Sequence, residues 1–304
     1  MTIREAFVWT EKKINKADSP QLDAEVLLSH TIKKSKEFLF ANPDFKLSSL
    51  QFSIYRSLIQ KRDRHWPVSY LIGHKEFYGL DFKVTPHVLI PRPETELLVE
   101  LAIQKIKNKR LAIRNILDIG TGSGCIITSI AVIASQRRSN LKFYATDVSN
   151  SALKIAKSNA RRHSVAKKIK FLHSNLLSTL PATAYKLPSL ILANLPYLTP
   201  SQYNSNLDLK HEPRAALVAG PDGLKYYRKL FRQIRNSPNP SYPKRGTPPL
   251  SLRGGREGLL TLLLEHDPSQ TSKLKFLTKQ YFPQAKLKFH RDLSGLNRVL
   301  EINL

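Results

Sequence analysis

Asn194-Leu195-Pro196-Tyr197 follows the apolar run Leu190-Ile191-Leu192-Ala193, and these residue types suit one chemistry: holding a planar NH2 group against an electrophilic methyl. The side-chain oxygen of Asn194 and the carbonyl of Leu195 are two acceptors for the two N–H bonds of such a group. Pro196 biases Leu195 toward an extended backbone, which fixes the direction of that carbonyl. Tyr197 offers an aromatic face on which a flat group can rest. Taken alone, the tetrapeptide is equally readable as a buried strand running into a proline turn.

A second motif upstream narrows the choice. Ile116-Leu117-Asp118-Ile119-Gly120-Thr121-Gly122-Ser123-Gly124 reads as a buried strand breaking into a glycine turn, and Cys125 to Ala131 opens a helix. Glycines let a backbone approach a ligand and take conformations that a side chain forbids. The spacing is G-x-G-x-G, with Cys125 standing where dinucleotide enzymes place a third glycine. The next strand, Leu141 to Thr146, ends in Asp147. An acidic residue about 20 positions past such a turn is placed to accept hydrogen bonds from ribose hydroxyls. The competing reading of Asp147 is a helix N-terminal charge ahead of Ser149-Asn150-Ser151. Glycine turn, ribose acid and Asn-x-Pro-Tyr, in that order, point to a methyltransferase with a nucleoside cofactor.

With these motifs the chain resembles the protein-glutamine methyltransferases that modify peptide-chain release factors, the PrmC/HemK family. The resemblance extends to Pro67 to Gly73, to Lys75-Glu76-Phe77-Tyr78-Gly79-Leu80, and to Val88-Leu89-Ile90-Pro91-Arg92-Pro93-Glu94-Thr95-Glu96. His211-Glu212-Pro213 with Ala216-Leu217, Leu262 to His266, and Arg291-Asp292 with Asn297-Arg298-Val299 also match. Pro-Arg-Pro-Glu-Thr-Glu is the most diagnostic stretch, because most methyltransferases of this fold lack it. The resemblance implies S-adenosylmethionine as cofactor and, as partner and substrate, a class I release factor methylated on the side-chain amide of the Gln in its Gly-Gly-Gln loop. It implies cofactor contacts from Asp118, Gly120, Thr121, Gly122, Ser123, Gly124, Asp147, Asn175, Leu176 and Asn194. Asn194, Leu195, Pro196 and Tyr197 would hold the substrate and carry catalysis. Arg92 and Glu94 would lie on a segment closing over the pocket.

Two positions depart from the family pattern. The usual tetrapeptide is Asn-Pro-Pro-Tyr, and this chain has Leu195 in the second place. The acceptor inferred there is a backbone carbonyl, so the chemistry survives. Asn-Leu-Pro-Tyr is also typical of ribosomal-RNA adenine dimethyltransferases, which leaves methylation of an adenine exocyclic amine in RNA or DNA as the alternative. A flipped base would need aromatic stacking to be held. Relatives commonly carry Asp where Asn175 stands after the strand Lys168 to His173. Asn still accepts through its amide oxygen, so weaker cofactor binding is the most that the change is expected to cause; a simple turn residue is the other reading.

The positioning elements are those of an α/β protein. Strands at 115–119, 141–146, 168–173, 188–193, 258–265, 285–290 and 297–303 alternate with helices, as in a mostly parallel sheet covered on both faces. The glycine turn, Asp147, Asn175 and Asn194 fall at carboxyl ends of the first four strands, the edge where open α/β sheets bind ligands. The last two strands, joined through Asp292-Leu293-Ser294-Gly295, complete a seven-stranded Rossmann-like sheet of the class I methyltransferase kind as an antiparallel pair. Residues 1–73 read as a small helical domain. Asp18-Ser19-Pro20 opens one helix with Leu22, Ala24, Val26, Leu27 and Leu28 on its apolar side, and Ser48-Ser49 opens another with Phe52, Tyr55, Leu58 and Ile59. This unit carries no catalytic constellation, and the resemblance makes it the substrate-recruiting domain. Residues 74–93 form a linker with a hairpin from Phe77 to Val84, and 94–304 form the methyltransferase domain, beginning with a helix from Glu94 to Lys107. Prolines and the absence of an apolar period mark 236–258 as an inserted, disordered loop.

Composition bounds the rest. The 304 residues carry 49 Lys and Arg against 23 Asp and Glu, a net charge of +26, with one cysteine. One cysteine excludes an internal disulfide, and no cysteine–histidine spacing suggests zinc. Cys125 is expected to pack rather than react. A charge this basic supports nonspecific RNA contact, but its residues are dispersed over several surface helices and loops. No apolar signal core or membrane span is legible. A cytoplasmic monomer without a membrane partner is expected.

Overall fold

The computed structural model describes residues 1–15, 17–108, 111, 113–135, 140–180, 189–236 and 260–304. Backbone contacts divide the chain into two units. The first comprises Met1–His74 with Val84–Pro86 and Asn206–His211; the second comprises Lys75–Lys83, His87–Ser205 and Glu212–Leu304.

The first unit is helical: α1 (Ile3–Lys13), α2 (Pro20–Ile32), α3 (Lys36–Ala41), α4 (Ser49–Asp63) and α5 (Val68–Ile72). Capping boxes start α1 and α4, where Thr2 pairs with Glu5 and Ser48 with Gln51. Ile3, Leu27, Leu28, Leu39, Tyr55 and Ile59 form its core. The buried Tyr55 hydroxyl lies 2.6 Å from Thr10 Oγ1, which satisfies a polar atom that would otherwise be costly inside. Leu22 departs from expectation and is 50% exposed, while Ala24, Leu27 and Leu28 are buried. Two residues along a helix is more than half a turn, so Leu22 and Ala24 cannot share a face.

The hairpin pairs β1 (His74–Phe77) with β2 (Leu80–Lys83), and all of it but His74 belongs to the second unit. It begins earlier than the expected Phe77, because Tyr78 and Gly79 take the two turn positions with φ of +52° and +71°. Of β1 only Phe77 is buried, so the strand carries almost no alternation to read. Pro93–Thr95 forms a tight 3-10 turn, and α6 runs Glu96–Lys107, two residues shorter than expected.

All seven strands of the main sheet form: β3 (Asn115–Ile119), β4 (Lys142–Asp147), β5 (Ile169–His173), β6 (Ser189–Ala193), β7 (Leu260–Glu265), β8 (Lys286–Arg291) and β9 (Asn297–Asn303). Their order is β5-β4-β3-β6-β7-β9-β8. β3 to β7 are parallel, and β9 runs antiparallel to both β7 and β8. The central strands read as continuous apolar runs because both faces are covered. Leu117, Ile119, Ile191 and Leu262 pack on one side against α10 (Lys225–Arg235) and α11 (Thr271–Tyr281). Ile116, Leu190, Leu192 and Leu263 pack on the other against α6 and α7 (Cys125–Ser135). Helix α8 (Asn150–Arg162) follows β4, and α9 (Pro200–Asn204) follows β6. Apart from Asn236, the expected insertion at 236–258 lies outside the described residues.

Candidate active site

Strand register sets the site. Ile119 pairs with Thr146 on one side and with Ala193 on the other. Gly120 and Asn194, the next residues, therefore leave the sheet at the same carboxyl edge. Asp147 pairs with His173 and ends β4 at that edge too.

The glycine turn is tied to β4. Gly120 N and Thr121 N both donate to the Thr146 carbonyl at 2.8 Å, and Gly122 N donates to Asp147 Oδ2 at 2.9 Å. Asp147 Oδ1 accepts from Ser149 N at 2.8 Å, so its carboxylate anchors the turn and keeps lone pairs for a further donor. Burial raises its pKa. The three glycines share positive φ but divide their tasks. A β-carbon at Gly124 would meet Ala156 at 3.0 Å, so that glycine lets α7 approach α8. At Gly120 it would come 3.3 Å from Leu195 Cδ2, whereas at Gly122 it would face open space.

Behind the turn, Asp118 is fully buried and Oδ2 accepts from Thr121 Oγ1 at 2.6 Å. Its Oδ1 has no partner among the described residues. Burial, opposed by the Thr121 hydrogen bond, pushes its pKa up to about 7. Ser123 is buried, and its carbonyl accepts from Asn159 Nδ2 at 2.8 Å. Asn159 also bonds both backbone groups of Lys83, stapling the hairpin to the turn. Burial drives the Cys125 thiol up to about 12, so it packs as an inert side chain. Asn175 is exposed after β5, its carbonyl accepting from Gln233 Nε2 at 3.1 Å. Leu176 is buried with φ +59°, a left-handed turn residue.

Asn194 is half-buried, and its Nδ2 donates to Thr95 Oγ1 at 3.1 Å. Leu195 turns its side chain inward, 2% exposed. No described residue donates to Asn194 Oδ1 or to the Leu195 carbonyl. The Tyr197 carbonyl accepts from Gln270 Nε2 at 2.7 Å, and Leu198 bonds Leu217 and Ala219 at 2.9 Å, fixing the loop's exit. Burial raises the Tyr197 phenol, which stays protonated.

Glu265, at the end of β7, is 1% exposed, and burial pushes its pKa up to about 7. The Thr95 and Tyr197 hydroxyls beside it, and Arg298, oppose that rise. Oε2 has no full hydrogen bond among the described residues. Tyr227 donates its hydroxyl to the Glu265 carbonyl. Glu212, from the His-Glu-Pro motif, accepts from the Arg92 guanidinium and from Ile90 N at 3.1 Å. Thr95, Asn159, Gly223, Glu265 and Gln270 have structural parts here that their sequence positions did not assign. Thr95 and Glu265 did stand inside quoted motifs.

These features fit the nucleoside cofactor that the sequence implies. Gly122 presents bare backbone to open space, Asp147 closes β4, Asp118 stands one residue before the end of β3, and Asp118 Oδ1 has no full hydrogen bond among the described residues.

Residues 5–73 match the PrmC N-terminal domain, and residues 94–217 match the methyltransferase small domain. The release factor glutamine methyltransferase of Coxiella burnetii is 38% identical over 93% of this chain and 91% of its own. The protein of the same name from Bacillus anthracis is 29% identical over 99% of this chain and 98% of its own. A bifunctional methyltransferase of Rickettsia bellii is 30% identical over 94% of this chain, which spans 52% of that longer protein. Among solved structures, the hMettl16 catalytic domain in complex with MAT2A 3'UTR hairpin 1 shares the fold, with a TM-score of 0.53 at 13% identity over 91% of this chain and 90% of that one.

Proposed function

The chain belongs to the release factor glutamine methyltransferase family, and from that premise we propose that it methylates the side-chain amide nitrogen of the Gln in the Gly-Gly-Gln loop of class I release factors. It is an S-adenosylmethionine-dependent methyltransferase. The cofactor, when bound, supplies a methyl made electrophilic by a sulfonium. Asp118 and the turn Gly120–Gly124, with Thr121 and Ser123, hold its amino-acid end; Asp147 takes the ribose, and Asn175 and Leu176 border the adenine.

The observation that carries the reading is the pair of acceptors left open at Asn194 Oδ1 and the Leu195 carbonyl. A primary amide has two N–H bonds and a nitrogen lone pair delocalised into its carbonyl. Accepting both bonds fixes the nitrogen in place and favours the positive charge that builds on it during transfer. Pro196 sets the direction of the Leu195 carbonyl, and Tyr197 packs on the amide plane. The helical unit recruits the release factor, and the enzyme works as a cytoplasmic monomer whose basic surface permits nonspecific RNA contact. Adenine methylation is not favoured by the relatives.

Offering purified release factor and ribosomal RNA side by side with labelled S-adenosylmethionine tests this. Label on the release factor supports the reading; label on RNA alone overturns it.

A further inference from the structure

Asn194 can serve as an acceptor only if its carboxamide faces the substrate with oxygen rather than nitrogen. A carboxamide is nearly symmetric in shape, so its direction is set by its partners. Here Nδ2 is engaged by Thr95 Oγ1 at 3.1 Å, across 99 residues of chain. Thr95 is 2% exposed and sits where the 3-10 turn meets α6. A hydroxyl has one proton to give and lone pairs to receive. The Thr95 hydroxyl acts on Glu265, a carboxyl 1% exposed whose Oε2 has no full hydrogen bond among the described residues and can take the Thr95 proton. We propose that Thr95 and Glu265 are positioning residues that set the direction of the Asn194 carboxamide. Ionised Glu265 takes the Thr95 proton, Thr95 oxygen takes an Asn194 N–H, and Oδ1 is left for the substrate. This deepens the function given above and rests on it.

The relay has a second state. Protonated Glu265 donates to Thr95, Thr95 then donates to Asn194 Oδ1, and the carboxamide turns its NH2 toward the substrate amide, donor against donor. Protonation of one buried carboxyl therefore switches the site off without moving the backbone. The groups acting on Glu265 are Arg298 from β9, which favours the ionised form, Glu94 ahead of α6, which opposes it, and the Tyr197 hydroxyl, which favours it. Tyr227 on α10 and Cys125 at the start of α7 also feel its charge but stay neutral. Its neighbour His266 is buried, with a lowered pKa. Activity is present above the Glu265 pKa, which burial raises to about 7, and is lost as pH falls through it.

The test uses the full chain with Thr95→Val, Thr95→Ser and Glu265→Gln. Thr95→Val keeps the shape and removes the hydroxyl; kcat on release factor should fall about 10-fold or more, with cofactor Kd within about 2-fold. Thr95→Ser restores the hydroxyl and should return kcat to within about 3-fold of the parent. Log kcat of the parent at saturating cofactor should drop below neutral pH, with a midpoint well above the ordinary carboxylate range of about 4, and Glu265→Gln should abolish that limb. In the free protein the side-chain NH2 resonances of Asn194 should shift over the same pH range and lose that shift in Glu265→Gln. Unchanged kcat in Thr95→Val, or superimposable pH profiles, would overturn the proposal. A parent enzyme that leaves release factor unlabelled contradicts the function instead, and the resonances then decide the relay.

Discussion

Gly223 lies so close to the backbone of Tyr197 that a β-carbon there would fall 2.1 Å from the Tyr197 carbonyl oxygen. The same β-carbon would be 2.0 Å from Gln270 Nε2, the donor to that oxygen. Its φ of +71° is also one that side chains resist. The tyrosine of the Asn-Leu-Pro-Tyr loop is thus clamped from behind by a glycine and an amide that approach from two other loops. Gly223→Ala should destabilise the protein by about 2–4 kcal/mol, from overpacking and left-handed strain together. Thermal melting checks the loss, and turnover should fall with it as the loop is displaced.

Asn194→Ala removes one of the two open acceptors but leaves the glycine turn intact. Turnover should drop about 10²-fold or more, with cofactor affinity nearly unchanged, as befits a positioning group. Paired measurements of kcat and of cofactor binding by calorimetry check this, and an equal loss of both would count against the role.

Asp118 makes stability depend on pH in a defined direction. Burial raises its folded pKa to about 7, against about 3.9 in an unfolded chain. Between those values the folded state holds the extra proton. Stability should therefore fall as pH rises through that window, by up to about 1.4 kcal/mol per pH unit from this group. Asp118→Asn has no such proton and should flatten that part of the slope. Urea denaturation of the cofactor-free protein at several pH values between about 5 and 7 gives the comparison.

Glu212 is buried and joins Arg92 and Ile90 N, which holds the segment ahead of α6. Glu212→Ala should cost about 2–3 kcal/mol, since it removes charge-assisted hydrogen bonds and leaves their donors without an acceptor. A melting curve checks it.

The sheet was legible because its strands are covered on both faces, so unbroken runs such as Leu190 to Ala193 announce themselves without alternation. The glycine turn and Asp147 were legible because close backbone approach and a strand-end carboxylate are demands that few residue types meet. Thr95 and Gln270 were not, since each acts through a partner, Asn194 or Tyr197, that lies 99 or 73 residues away. Nothing local to Thr95 distinguishes a relay hydroxyl from a helix cap. Gly223 likewise reads as an ordinary turn glycine until the Tyr197 backbone is beside it. The hairpin start at His74 was missed because only Phe77 of β1 enters the core.

The most direct test of the central claim is mass spectrometry of a class I release factor after incubation with the full-length protein and S-adenosylmethionine. A single methyl on the side-chain amide of the Gln in the Gly-Gly-Gln loop, absent with Asn194→Ala, is the predicted result. An unmodified glutamine under conditions where the protein binds cofactor, or methylation of RNA in its place, would contradict it.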